Sequence, residues 1–450
     1  MKKIMKNNFK ILLYFSVFLF LIGLFANQWV LSIIFSDDHI LEKQTKLKIY
    51  LFQFFCFFLS YIIYEYRYSL TLKNIFQRFL LVAFSLFFCL LFGEVVLYKF
   101  DTIKYYVWEP NMNEVHQPAP GLMPGIYGVK RFTTDNNGIR SISRYSKSDY
   151  KILTIGGSTT EGLYLDDNET WAAVLENSLN QGSSHKYWVG NVGQSGMNTR
   201  HHILHVKYLL PQFPEVDAIL LFVGINDLSY FLRTSKTYSL NQILYSNEIL
   251  NKAFSRRPKT KKVDFLNIRE YHIYFLVMKA YYILTNKTNY QDKVGSSYKY
   301  NRLKRINSDK VSTLPSLEKG LNEYRDNINY IIDICRKNNV KIILATQPTM
   351  WFENMPKRLS KLLWFGWTNN DSIYYNSSSL ADAMAQYNKI TRNIAIENDI
   401  QLVDLSNSLP RDTTVFYDDC HFNERGALLF GEYISNTIKQ SISLERNKNE

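Results

Sequence analysis

Five residues of this chain have the types that acyl chemistry requires: Ser158, Gly196, Asn226, Asp418 and His421. Ser158 stands in Gly156-Gly-Ser-Thr159 and Gly196 in Asn191-Val-Gly-Gln-Ser-Gly-Met-Asn198. Asn226 stands in Gly224-Ile-Asn-Asp227, and the last two residues in Asp418-Asp-Cys-His421. A serine hydroxyl is a poor nucleophile until a base takes its proton, and that base is usually a histidine held in one tautomer by a carboxylate. Asp418 and His421, three residues apart at a helix entrance, can come close enough for this. Asp419 also neighbours the histidine, and the three-residue spacing favours Asp418. The tetrahedral intermediate carries a negative oxygen that needs preorganised donors. The Ser158 N–H, the Gly196 N–H and the Asn226 side-chain amide are suitable types for this oxyanion hole. Each motif alone has a plainer reading, because glycines at strand ends and Asn-Asp pairs are ordinary turn chemistry.

The elements that must position these residues follow from alternating apolar patterns beyond Tyr150. Strands are expected at Tyr150–Ile155, Tyr187–Val192, Ala218–Val223, Val340–Thr346 and Ile400–Leu405. Helices are expected at Thr170–Leu179, Thr199–Leu210, Leu317–Lys337, Leu380–Glu397 and Glu424–Lys439, the last capped by Asn423. Strands alternating with helices predict a parallel sheet covered on both faces, a three-layer α/β/α domain over 150–440. All four motifs fall where strands run out, the end at which open α/β sheets bind ligands.

With Ser, Gly, Asn and Asp-x-x-His in this order, the chain resembles the SGNH (GDSL-like) hydrolase superfamily over about residues 130–440. Gly157 stands where that family usually has Asp. The resemblance implies a flavodoxin-like domain, a Ser158–His421–Asp418 catalytic set and an oxyanion hole from Ser158, Gly196 and Asn226. It implies hydrolysis or transfer of an acyl group, typically acetyl, on oxygen, with no cofactor.

The remaining segments are less regular. Residues 1–100 read as a membrane anchor with three transmembrane helices at 11–35, 49–64 and 79–98, edged by tyrosines and flanked by Lys2, Lys3, Lys6 and Lys10. A basic start and an odd number of spans would put the remainder outside the cytoplasm. Residues 101–149 read as a linker and domain flank that could cover a sheet edge, and 441–450 as a polar tail. Residues 229–313 are too long for a simple connection, so an insertion is expected there. Its basic cluster Arg256–Lys262 and apolar run Ile273–Met278 would suit a lid or anionic headgroups, or simply an extra core helix. Trp351, Trp364 and Trp367 would serve either sugar stacking or packing.

A net charge of +13 suggests nucleic acid or a membrane surface. No zinc-finger, RNP or helix-turn-helix pattern is present, and many cations flank apolar runs, so the membrane is favoured. The four cysteines lack C-x-x-C spacing, which argues against structural zinc, while a Cys335–Cys420 disulfide stays open. His201, His202 and His205 share a helix but lack other metal-ligand signals, and Asp227 reads as a turn-holding residue. Asn168, Asn286 and Asn376 begin glycosylation sequons that matter only in a eukaryotic secretory pathway. The leading expectation is a membrane-anchored esterase acting on acylated cell-surface or cell-wall carbohydrate. The alternatives are an O-acetyltransferase of an envelope polysaccharide, which would need a membrane partner to bring the acyl donor, and a catalytically silent glycan-binding or assembly protein.

Overall fold

The computed structural model describes residues 2–25, 27, 43–65, 104–145, 150–239, 247–255, 289–291, 296–370 and 372–449, with a few helical positions in 80–90 and at 277. The chain divides into two compact units, Met1–Phe100 and Asp101–Glu450.

The first unit contains the helices Lys2–Phe25 and Lys43–Glu65, packed together. Ser16 and Ser60 meet at their interface, each hydroxyl donating to the other's carbonyl at 3.0 and 2.9 Å. Gly23 sits against the Phe57 ring, so close that an added Cβ would stand 2.9 Å from it. Among the described residues no helix is long and apolar enough to cross a membrane. Of the expected span 11–35, residues 26 and 28–35 lie outside the described residues, while 49–64 lies wholly within the second helix. Among the described residues the uncharged stretches are Ile11–Phe25 and Ile49–Tyr64. At about 1.5 Å per residue these stretches cover roughly 22–24 Å of a hydrocarbon core about 30 Å thick. Most of the expected third span, 79–98, lies outside the described residues.

The second unit is built on five strands: β1 (Tyr150–Gly156), β2 (Tyr187–Asn191), β3 (Ala218–Phe222), β4 (Lys341–Ala345) and β5 (Gln401–Val403). Every pairing is parallel and the spatial order is β2-β1-β3-β4-β5, the flavodoxin-like arrangement. Such sheets bury both faces, and β3 (Ala-Ile-Leu-Leu-Phe) is buried at all five positions. Helices α1 (Trp171–Asn180) and α6 (Glu424–Asn449) pack on each other, and Trp171, Phe222 and Phe430 join rings beneath them. A second group consists of α2 (Thr199–Leu209), α4 (Glu318–Lys337) and α5 (Ser377–Glu397). The caps are local: Thr170, Asn376 and Asn423 side chains accept from the N–H groups of Ala173, Ser379 and Gly426.

Three further segments complete the second unit. Residues 441–449, read as a polar tail, continue α6. The stretch read as a linker has two short antiparallel strands, Asn113–His116 and Lys130–Thr133, and closes the free edge of β2 through a bridge between Arg140 and Asn191. That bridge satisfies backbone groups an edge strand would otherwise expose. The expected insertion 229–313 begins inside a helix, α3 (Ile225–Thr234), whose amphipathic pattern follows at once on Gly224. Near its end, the helix Ser296–Ile306 fastens the domain. Arg302 donates to the carbonyls of Leu122, Leu362 and Tyr417, and Arg305 to those of Phe365 and Tyr375. Both guanidiniums are buried, which is costly unless their fixed forks find acceptors, as here. The basic cluster 256–262 and nearly all of 273–278 lie outside the described residues.

Candidate active site

The abrupt end of β1 sets Ser158 at the first position of a single turn, Ser158–Glu161. His421 comes from the loop between β5 and α6, where Phe416 and Phe422 bridge antiparallel and fold 417–421 into a tight bend. Ser158 Oγ lies 2.7 Å from His421 Nε2. The other ring nitrogen lies 2.7 and 2.9 Å from the two carboxylate oxygens of Asp418. Asp418 is fully buried. Its carboxylate also accepts from the backbone N–H groups of Cys420 and His421 and from the Trp364 indole N–H at 2.9 Å.

The electrostatics follow from this geometry. Burial works to raise the Asp418 carboxyl, but the adjacent imidazolium charge and the donors from His421, Trp364 and Cys420 hold it below its ordinary value. Burial works to lower His421, and the Asp418 carboxylate overrides it and holds the ring well above its ordinary value. Tyr417 stacks on one side of the ring, 5.5 Å between centroids, and Trp364 lies parallel at 6.4 Å.

The structure separates the two adjacent aspartates. Asp419 turns away from His421 and accepts from the Trp351 indole at 2.7 Å and from the N–H groups of Trp364 and Phe365. Burial and the neighbouring Asp418 charge hold its carboxyl above the usual range, against the pull of Arg305. Trp351 is thus a packing anchor, wholly buried, whereas Trp364 and Trp367 stack partly exposed beside His421.

The other two oxyanion candidates come from the ends of two further strands. Gly196 has φ +76° in the loop after β2, a conformation that favours glycine, and the space a Cβ would fill is open. Asn226 is in the first turn of α3, and its amide donates one hydrogen to the Met197 carbonyl at 2.8 Å, leaving the other. A Cβ on Gly157 would stand 2.2 Å from that amide nitrogen, so the glycine beside the serine makes room for the asparagine. Asp227 accepts from its own backbone N–H, as a turn-holding residue does. It also accepts from the Thr199 N–H and hydroxyl at 3.1 and 2.5 Å, stapling α3 to α2. Burial pushes its carboxyl up to about 7, against the Thr199 donors.

Several other candidates have plain roles. His201 caps α2 through Asn198, and His205 bonds the Ala253 carbonyl. The rings of His202 and His205 face each other, their Nδ1 atoms 3.4 Å apart. Burial holds all three well below the ordinary histidine range, which keeps them neutral. Cys335 and Cys420 are free thiols. Asp418, Cys420 and His421 form a group whose donor atoms could approach a metal ion. Asp418 and His421 are already committed to each other and to Ser158, so the donor set does not fit a resident metal. The sequence reading missed Tyr417, four residues before His421, because spacing alone does not set its ring against the imidazole. It missed the Trp364 indole as a donor to Asp418 and the contact of Glu161 with Ser195 because those partners lie tens of residues apart.

A model of the GDSL-like lipase/acylhydrolase family matches residues 154–429, well over half of the chain, and the chain belongs to that family. Membership supports an ester-hydrolysing enzyme. Several solved structures are similar to the chain at low identity. The acetylxylan esterase Axe2 of Geobacillus stearothermophilus is 14% identical over 66% of this chain and 96% of its own, with a TM-score of 0.33. The carbohydrate acetylesterase Est24 of Sinorhizobium meliloti is 10% identical over 65% and 99%, with a TM-score of 0.34. The psychrotrophic esterase EstA of a Pseudoalteromonas species is 11% identical over 66% and 100%, with a TM-score of 0.34. The search of curated proteins returned no match.

Proposed function

We propose that this chain is a serine esterase that removes O-acyl groups, acetyl in particular, from a cell-surface or cell-wall carbohydrate. The observation that carries the reading is the unbroken chain of contacts from Ser158 Oγ through His421 to buried Asp418. In the proposed reaction Ser158 Oγ attacks the ester carbonyl carbon while His421 Nε2 takes its proton. Asp418 stabilises the resulting imidazolium and fixes the tautomer that leaves Nε2 free. The oxyanion accepts from the Ser158 and Gly196 N–H groups and from the remaining Asn226 amide hydrogen. His421 then gives the proton to the leaving sugar oxygen, and a water molecule, deprotonated by the same nitrogen, releases the acid from Ser158.

The carbohydrate part of the reading rests on the aromatic faces next to His421. Trp364, Trp367, Tyr298 and Tyr164 are half-buried rings in mutual contact, a surface suited to the apolar face of a sugar. The membrane part rests on the first unit, which exposes Phe18, Phe25, Phe54, Phe55 and Tyr61 on helices with basic starts. A bilayer would cover these side chains, with the second unit on its outer side.

The test is turnover of p-nitrophenyl acetate and of acetylated oligosaccharides by the full chain and by Ser158→Ala. Undiminished hydrolysis by the variant would remove Ser158 from the mechanism. Acetyl gained by an added sugar, in place of free acetate, would redirect the reading to transfer. A folded protein that neither turns over ester nor reacts with a fluorophosphonate would support a silent binding role.

A further inference from the structure

Beneath the oxyanion loop lies a carboxyl group that the proposed reaction does not use. Glu161 closes the single turn begun by Ser158, and its side chain is almost wholly inaccessible. Its carboxylate receives the Ser195 hydroxyl and also a hydrogen bond from the Ser195 backbone. Arg140 lies to one side, its guanidinium donating to the Glu161 and Gly162 carbonyls at 2.8 and 3.0 Å. The charge of His421 and the Tyr164 phenol also reach the carboxyl.

Ser195 immediately precedes Gly196, and both are exposed at the surface of the loop. On the far side, Thr199 is fixed to Asp227, and Met197 accepts from Asn226. Gly196 therefore lies in a short span between two carboxyl anchors. No atom lies within 4 Å of where its Cβ would be, so side-chain packing does not hold its backbone. A glycine at positive φ has little conformational preference of its own. The direction of its N–H is set by what ties down its neighbours, and an oxyanion donor displaced by about an ångström loses much of its effect.

We infer that Glu161 is a positioning residue that aims the Gly196 N–H at the oxyanion by holding Ser195. The inference rests on the esterase reading, and it assigns Glu161 no contact with substrate. The anchor is asymmetric. An amide at position 161 keeps an acceptor for the Ser195 hydroxyl, whereas an alanine removes it and leaves Ser195 free to turn toward solvent.

The experiment uses the full chain with Glu161→Gln, Glu161→Ala, Ser195→Ala and the Glu161→Ala/Ser195→Ala double variant, each checked for folding by circular dichroism. Readouts are kcat and KM for p-nitrophenyl acetate and hydrogen exchange of the segment 194–198. Glu161→Ala should lower kcat roughly 10- to 100-fold with KM little changed, the loss of a donor acting mainly in the transition state. Ser195→Ala, which keeps the backbone bond, should lower it by less. The double variant should fall no further than Glu161→Ala alone, because that change already removes both the hydroxyl and the backbone bond. Glu161→Gln should recover most of the activity, and exchange in 194–198 should quicken only where the contact is lost. Full kcat in folded Glu161→Ala, or additive losses in the double variant, would overturn the inference. If the wild type shows no Ser158-dependent turnover, the esterase reading falls, and unchanged exchange in 194–198 would then separately sink the clamp.

Discussion

Trp364 and His421 lie parallel, their planes 4° apart, while the Trp364 indole N–H donates to the Asp418 carboxylate that grips the same imidazole. One side chain from a loop before α5 thus supports the base and its orienting acid together.

Trp364→Phe should keep much of the ring surface and lose the donor. An unsupported carboxylate is more basic and holds the imidazolium more strongly. The ascending limb of kcat/KM against pH should therefore move to higher pH, and kcat should fall up to about tenfold, the worth of one hydrogen bond to a charged group. A profile superimposed on the wild type would show the contact to be incidental.

The two adjacent aspartates should part company in mutagenesis. Asp418→Asn leaves His421 without an acceptor for the correct tautomer and should cost roughly 10³–10⁴-fold in kcat. Asp419→Asn weakens the ties to Trp351, Trp364 and Phe365, so its main effect should be a lower Tm with a much smaller change in kcat. Equal losses of kcat in the two variants would mean that Asp419 also serves the histidine.

Gly157→Ala should act through Asn226. The new methyl would meet the amide nitrogen, which must swing away from Ser158. Removing one oxyanion donor costs roughly 10²–10³-fold in kcat, and Gly157→Ala with Asn226→Ala should be little worse than either alone. Ester turnover at the wild-type rate by Gly157→Ala would take Asn226 out of the oxyanion hole.

Asp227 predicts a pH-dependent stability. Its folded carboxyl titrates near 7 instead of 3.8, so between those values the native state holds a proton that the unfolded chain has lost. The contribution of the neutral form is therefore complete below about pH 4 and lost as pH rises toward 7. Asp227→Asn keeps an acceptor for Thr199 and cannot ionise. Its Tm relative to wild type should be several degrees more favourable at pH 8 than at pH 4, on the order of 2–4 kcal/mol of differential stability. Parallel Tm curves across that range would refute the assignment.

The amino-acid sequence by itself determined the parts and their order. Apolar runs such as Ala218–Phe222 must be buried on both faces, and a glycine or serine immediately after each run must lie at a strand end. That is why Ser158, Gly196, Asn226 and His421 were legible as one set, and why the five strands were found within a residue or two. The cap at Asn423 is local chemistry and was equally readable. Spacing already favoured Asp418 over Asp419 as the partner of His421, and the tertiary structure added where Asp419 goes, to Trp351, Trp364 and Phe365. Only the tertiary structure brought Trp364 to Asp418 across 54 residues and Ser195 to Glu161 across 34. Such contacts depend on how helices and loops pack over the sheet ends, and periodicity carries no record of that packing. Ser158 and His421 share a proton because β1 and the loop after β5 end at the same edge of one parallel sheet.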